Sequence, residues 1–195
     1  MQRLAQGFAA AMAIGIAWLI PGRAIADGQV LPLVASGDWA AVEHLPSFNS
    51  TPDMCVARTA TSGQVFGLRA TETDIEVRFS DQSWSLPADV SGSLVLDVGT
   101  IKLSLDISDN TNSMVIAEIT VTQLQYVISA MDNAGSMTIT PGKAAPITVS
   151  LNGSNTATTA FLTCAGITAP REGEDRIRSN EFKAAGTDSG AARWP

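Results

Sequence analysis

The sequence predicts a mainly β protein: an antiparallel β-sandwich or small barrel with two short helices and one disulfide. Apolar and polar residues alternate along the middle of the chain, the connections there have hairpin length, and two cysteines follow an apolar N-terminal segment. A parallel α/β sheet would instead show near-continuous apolar strands separated by helices. The 195 residues, 45% apolar and 16% charged, suffice for one folded domain and exclude disorder of the whole chain.

The N-terminus has the pattern of a secretory signal peptide. Arg3 precedes an uncharged apolar stretch at residues 7–20, and the small residues Ala24 and Ala26 follow it. This stretch is shorter than the roughly 20 residues of a membrane span, so an uncleaved anchor is the less favoured alternative. We expect residues 1–26 to be a signal peptide cleaved after Ala26. The mature protein is then periplasmic or secreted in a bacterium, with no integral membrane span.

Charge divides the remaining chain into two parts. Residues 27–170 hold 14 acidic and five basic side chains, a net charge of about −9, whereas 10 of the 25 residues at 171–195 are charged and balanced in sign. We therefore expect a β-rich globular domain at residues 27–168 and a flexible charged tail at residues 169–195. An acidic domain is repelled by nucleic acid and by anionic lipid, so neither is an expected partner.

Several strands can be assigned from period-two alternation. Ile75, Val77 and Phe79 alternate with polar residues, as do the apolar residues within 94–98 and 101–107. The apolar parity switches across residues 99–100, which predicts a tight turn between paired strands. Further strands are expected at residues 53–60, 64–70, 136–140 and 147–151, while residues 114–119 fit a strand or a helix.

Two short helices are expected between or after these strands. Thr122 is the expected N-cap of the first helix, whose apolar residues recur at helical spacing and which ends near Asn133: Leu124, Val127, Ile128 and Met131. The second helix begins near Gly153, and its apolar face contains Phe161 and Cys164. This spacing points Cys164 towards the interior.

Cys55 and Cys164 are expected to form a disulfide. A lone pair of cysteines in an exported domain is most simply oxidised, and the bond would close a loop of about 110 residues. The alternative, a nucleophilic thiol, is weaker because His44 is the one histidine available as its base.

No motif assigns a catalytic, cofactor or metal site, so none is predicted. His44 lies in no hydrolase motif and is expected in a surface loop. Four oxygen-bearing residues without the regular calcium-loop spacing leave calcium binding open, although such residues are also common in turns: Asp106, Asp109, Asn110 and Asn112. Trp39 and Trp84 are candidate contacts for a partner, with core packing as the alternative.

A resemblance rests on short motifs within residues 37–165. They are Trp39, the segment Asp53-Met54-Cys55-Val56-Ala57, the corner Trp84-Ser85-Leu86-Pro87, and Leu151-Asn152-Gly153-Ser154 leading to Phe161 and Cys164. This layout resembles small exported bacterial proteins and, more distantly, the invasion-associated locus B family. The resemblance transfers no functional residue.

Three classes of function follow. The leading hypothesis is a non-catalytic, periplasmic binding or interaction module whose partner is a protein of the cell envelope. It rests on the absence of catalytic motifs and on the predicted disulfide, which would make the β domain rigid. An envelope structural or stress accessory protein is the first alternative. The second is a hydrolase using carboxylates such as Asp97 and Asp106.

Overall fold

The computed structural model describes residues 28–168. The expected signal peptide at residues 1–26 and the expected tail at residues 169–195 lie outside the described residues. The elements, in chain order, are β1 (Gln29–Ser36), β2 (Trp39–Leu45), β3 (Met54–Thr61), β4 (Gln64–Thr71), β5 (Ile75–Asp81), β6 (Ser93–Val98), β7 (Ile101–Thr111), β8 (Met114–Glu118), α1 (Val121–Asp132), β9 (Ser136–Pro141), β10 (Ile147–Ser150) and α2 (Ser154–Cys164).

The ten strands form one antiparallel sheet, which confirms the predicted fold class. Their order is β1-β2-β3-β4-β5-β8-β7-β6-β9-β10. The sheet curls around a single core, and both helices contribute buried side chains to that core. None of the helices within residues 28–168 has the length and apolar character required to cross a membrane.

The strands predicted from alternation lie where the pattern placed them. The strands expected at residues 53–60, 64–70, 136–140 and 147–151 agree with β3, β4, β9 and β10 to within one residue at each end. The parity switch between β6 and β7 is a tight turn, since Val98 pairs with Ile101 across Gly99 and Thr100. Gly99 has a φ of +60° in this turn, and glycine adopts such a positive φ without the steric cost that other residues meet.

Strand β7 joins the two parts of the sheet. Its first half pairs with β6, and its second half pairs with β8 after a register shift between Ile107 and Asp109. A bulge of this kind bends a strand and increases its twist. The ambiguous segment at residues 114–119 is therefore mostly strand β8, because its backbone is paired on both sides, with β5 and with β7.

Strands β1 and β2 were not assigned from the sequence. β1 is an edge strand whose first five residues are exposed, so it has no apolar face for alternation to reveal. Pro32 lies within it, next to a register shift between Pro32 and Val34. Proline and a bulge are devices that limit pairing of an edge strand with other chains.

The helices bury the predicted apolar faces, but the N-cap of α1 is corrected. Thr120, not Thr122, caps this helix: its hydroxyl accepts a hydrogen bond from the Gln123 backbone, and the Gln123 side chain bonds back to the Thr120 backbone. This capping box satisfies two backbone N–H donors at the start of the helix. A helix capped by Thr122 would lack both of these hydrogen bonds. Leu124, Val127, Ile128 and Met131 are buried as predicted.

The disulfide between Cys55 and Cys164 is confirmed, with a Cα–Cα distance of 6.0 Å. It fastens the end of α2 to β3, on the core side of the sheet. The opposite end of α2 meets the turn between β1 and β2, where the Asp38 backbone donates to Asn152 O over 3.0 Å. Helix α2 is thus held at both ends against the first three strands.

Candidate functional site

Trp39, a predicted candidate for partner contact, lies in the core. It is 2% exposed, its Nε1 donates to Ser150 O over 2.8 Å, and its ring packs edge-on against Phe66 at 6.0 Å between centroids. In this position the indole fills the interior and presents no surface to a partner.

Trp84 is half-buried in the connection after β5, with its ring centroid 5.4 Å from that of Phe79. The neighbouring Asp81 side chain holds this connection, because it accepts hydrogen bonds from Ser83 and Gln64. The hydrogen bond from the Ser83 side chain contributes most, followed by those from the Gln64 side chain and the Ser83 backbone. Together they lower the pKa of the Asp81 carboxyl group below its ordinary value. Partner contact by Trp84 stays a prediction.

One residue of the oxygen-rich segment considered for calcium binding, Asn110, has a structural role. The Asn110 side chain accepts from the Val90 backbone and donates to Pro87 O, both over 2.9 Å, so it ties the connection between β5 and β6 to β7. Within residues 28–168, no group of three or more His, Cys, Asp or Glu side chains is arranged to hold a metal ion.

The carboxylates considered for hydrolysis are far apart on the hairpin of β6 and β7. Asp97 pairs with Lys102, whereas Asp106 pairs with Ser93 at the other end. The two carboxylates are therefore four residues apart along the hairpin, roughly 13 Å at 3.3 Å per residue. Paired carboxylates in glycosidases are separated by about 5 to 9.5 Å. The register of this hairpin does not favour that dyad.

His44 lies on β2 and not in the expected surface loop. The segment pairs on both sides, with β1 and with β3, and this pairing makes it a strand. Its Nδ1 is 2.5 Å from Asp53 Oδ1, and its side chain is 28% exposed.

A different feature emerges on the face of the sheet that points away from the core. Arg58 on β3, Arg69 on β4 and Arg78 on β5 are all the arginines of residues 28–168, and all three belong to this outer face. Across the strands, Arg58 pairs with Gly67, and Gly67 pairs with Arg78. We call Arg58, Gly67, Arg69, Glu76 and Arg78 the arginine patch.

Ion pairs order one side of the patch. Glu76 Oε2 accepts from Arg78 Nε over 2.6 Å and lies 3.1 Å from Arg69 Nη1. Arg69 also bonds Met54 Sδ and lies 3.5 Å from Asp74 Oδ1. These contacts hold two guanidinium groups in place beside one carboxylate.

Asp74 borders the patch at the turn between β4 and β5. Hydrogen bonds from the Thr71 and Thr73 hydroxyls, followed by the charges of Arg69 and Arg78, lower its pKa below the ordinary value of 3.8. Asp74 therefore stays ionised at neutral pH and adds a second acidic group on the Arg69 side.

Arg58 differs from the other two arginines. Its side chain is exposed, and with the residues that the structure describes it forms no salt bridge. The charge balance of the patch is therefore uneven: the acidic groups cluster near Arg69 and Arg78, and Arg58 retains an open guanidinium.

Gly67 lies between Arg58 and Arg78 in the strand register and is itself buried. Its φ is not positive, so the backbone does not require glycine there. A Cβ at this position would be 3.4 Å from Ala57 O and 3.6 Å from Arg58 Cβ, within ordinary contact. Gly67 therefore serves no turn, and its burial leaves no open space at this point of the outer face.

A cavity of about 440 Å³ lies at the turn between β4 and β5, beside the start of α1. Its lining includes the carboxyl-bearing residues Glu72, Asp74 and Glu118 and no lysine or arginine. This chemistry disfavours an anion in the cavity, which adjoins the arginine patch at Asp74.

The sequence contains the three arginines but does not show that they lie close together. Alternation in β5 places Arg78 away from the core, whereas β3 and β4 show no clean alternation of apolar and polar residues. What joins the arginines is the register between strands, which brings Gly67 opposite both Arg58 and Arg78. A single sequence does not contain that register explicitly.

Comparisons with known proteins give one distant likeness. No family model matches this chain, and no curated protein matches it. The solved structure of invasion associated protein B from Bartonella henselae aligns with 68% of this chain and 96% of that chain, at 11% identity and a TM-score of 0.45. This is a distant resemblance at the level of the fold.

Proposed function

We propose that this chain is a non-catalytic interaction module of the bacterial envelope that binds another protein through the outer face of β2 to β5. The observation that carries the proposal is the arginine patch: three arginines of an acidic domain are gathered on one sheet face. Export is supported by the leader pattern at residues 1–26 and by the disulfide.

The surroundings of the patch suit a protein contact. Val42, Val56 and Val65 are half-buried on the same face, and Ala60 is exposed. Half-exposed apolar side chains interspersed with arginine are typical of protein interfaces, where arginine is enriched and lysine is depleted. The hydrogen-bonded sheet presents these groups without a backbone ordering cost on binding.

A photo-crosslinking experiment tests this proposal. A photoreactive amino acid replaces Ala60 on the outer face, or Ser104 on the hairpin of β6 and β7 as a matched exposed control. We expect the exported chain to lose its first 26 residues and to give a discrete crosslinked product from position 60 that is absent from position 104.

Other results would contradict the proposal. An uncleaved chain retained in the cytoplasm would remove the envelope location. Equal crosslinking from both positions, or none from either, would show that the outer face is not a specific interface and would favour a structural or accessory role.

A further inference from the structure

We propose that the cavity between the β4–β5 turn and the start of α1 is the docking site of a segment of this chain itself, Arg176-Ile177-Arg178, which lies outside the described residues. The isoleucine enters the cavity, and the two arginines contact carboxylates at its rim. This inference goes beyond the proposed function and does not depend on it, because it concerns a contact within one chain.

The cavity offers space and apolar walls to one aliphatic side chain. Its volume of about 440 Å³ falls within the range of ligand pockets, about 300 to 1,000 Å³. Val121 is 45% exposed, so an isoleucine placed against it would remove apolar surface from water. Six of the twelve lining residues are apolar: Ala70, Ile75, Ile119, Val121, Ala165 and Ile167.

The rim of the cavity carries negative charge that the described part of the chain does not neutralise. Glu72 and Glu118 line the cavity, both are exposed, and neither forms a salt bridge with any described residue. Asp74 differs from them, because it lies 3.5 Å from a guanidinium nitrogen of Arg69. Two open carboxylates at the rim therefore match two incoming guanidinium groups, and such charge-assisted hydrogen bonds are strong.

The chain leaves the described domain at this same cavity. Gly166, with a φ of +65°, follows α2, and the Ile167 backbone donates to Leu162 O over 2.9 Å, as in a common helix C-terminal turn. Ile167 lines the cavity, and the next residue, Thr168, accepts a hydrogen bond from Gln125 Nε2 of α1 over 2.7 Å. These contacts fix the starting point of residues 169–195 at the rim.

The sequence of the departing segment complements the cavity. Within residues 169–195, Ile177 is the one apolar residue with a basic residue on each side. Eight residues separate Thr168 from Ile177 and span at most roughly 26 to 29 Å, which is enough to turn back to the rim. A tether this short gives an effective concentration on the order of millimolar, so the chain's own segment is favoured over a free partner.

Photo-crosslinking within the purified, oxidised mature chain tests the docking. An apolar photoreactive amino acid replaces Ile177, or Ala185 as the matched control in the same part of the sequence. Mass spectrometry of proteolytic peptides then locates the products. In dilute protein we expect position 177 to crosslink within its own chain to residues 70–75 or 118–121, with a yield at least fivefold above that of position 185.

Two carboxylate variants test the charge pairing in the chain that carries the photoreactive group at position 177. Glu72→Gln combined with Glu118→Gln should lower the crosslinking yield at least fivefold, and the exposure of both residues lets the fold tolerate the change. The matched control, Asp97→Asn combined with Asp106→Asn, removes two exposed carboxylates that do not line the cavity and should leave the yield unchanged.

A charge exchange distinguishes direct contact from an indirect effect on the fold. Arg176→Glu combined with Arg178→Glu should lower the yield at least fivefold. Adding Glu72→Lys and Glu118→Lys to that variant should restore the yield to within twofold of the unsubstituted value. Recovery of this kind requires the two sets of side chains to meet.

Several outcomes would overturn the docking. They are equal yields from positions 177 and 185, crosslinks that map outside the cavity, a product that joins two chains instead of one, and a yield that the Glu72 and Glu118 substitutions do not change. Each of these leaves the proposed function standing, because that function is tested by crosslinking from position 60. Absence of a product from position 60 would in turn leave the docking standing.

Discussion

Trp39 connects two strands that are far apart in the chain. Its Nε1 donates to Ser150 O on β10, while its ring packs against Phe66 on β4 and is 2% exposed. Trp84 is half-buried and packs on Phe79. Loss of the two indole rings should therefore destabilise the fold to different extents.

Trp39→Phe should destabilise the fold more than Trp84→Phe does. The first change removes a hydrogen bond and leaves a gap in the core, at a cost of about 2 to 4 kcal/mol. The second shortens a partly exposed side chain and should cost no more than about 1 kcal/mol. Urea unfolding of both variants measures the difference, and equal costs would contradict the assigned role of Trp39.

Single-residue burial was only partly predictable from the sequence. The sequence offered core packing and partner contact for both tryptophans, since an indole suits either. The structure decides for Trp39, because strand pairing places it on the core side with Ala41. Neighbouring residues alone did not show which side of β2 faces the interior.

At the scale of elements, helix α2 begins in close contact with the turn between β1 and β2. Gly153 precedes the helix with a φ of +87°, and a Cβ there would overlap Ser36 O. Gly142 also has a positive φ, +56°, but has nothing within 4 Å of the corresponding position. A comparison of Gly153 with Gly142 therefore separates the cost of a left-handed backbone from the cost of a steric overlap.

Gly153→Ala should therefore cost more stability than Gly142→Ala. Left-handed backbone alone costs alanine about 1 to 2 kcal/mol, which both variants bear. The overlap with Ser36 forces the helix away from the turn and should add at least ~2 kcal/mol at Gly153. Thermal or urea unfolding compares the two, and a similar loss in both would show that α2 can shift without penalty.

The accuracy of the element predictions follows from burial. Alternation located β5 to β7 because one face of each is in the core and the other is not. The same rule missed β1, whose first five residues are exposed, and left β8 ambiguous until its pairing with β5 and β7 was known. The arginine patch was missed for a related reason, since it depends on pairing between strands.

At the scale of the whole molecule, the disulfide covalently links the start of β3 to the end of α2. Cys55 and Cys164 are 109 positions apart, and between them lie all elements from β4 to β10 and nearly all of α2. The fold class and this pairing followed from the sequence. The order of the strands did not, because β8 rather than β6 pairs with β5.

Replacing both cysteines by alanine should lower the free energy of unfolding by about 4 to 5 kcal/mol, because the unfolded chain regains the freedom of a loop of this length. Urea unfolding of the oxidised protein and of the variant measures this loss. Two free thiols in the denatured, exported protein, or equal midpoints for the two forms, would contradict the prediction.

The same disulfide also places the two ends of the described domain side by side. Cys164 is bonded to Cys55, which pairs with Glu43, which in turn pairs with Leu31 near the start of β1. With a Cα–Cα distance of 6.0 Å and two strand spacings of about 4.8 Å, the start and the finish of the fold are roughly 16 Å apart. Such a domain can be inserted into a surface loop of another protein, because its two ends lie close together and the ends of the host loop need not move apart.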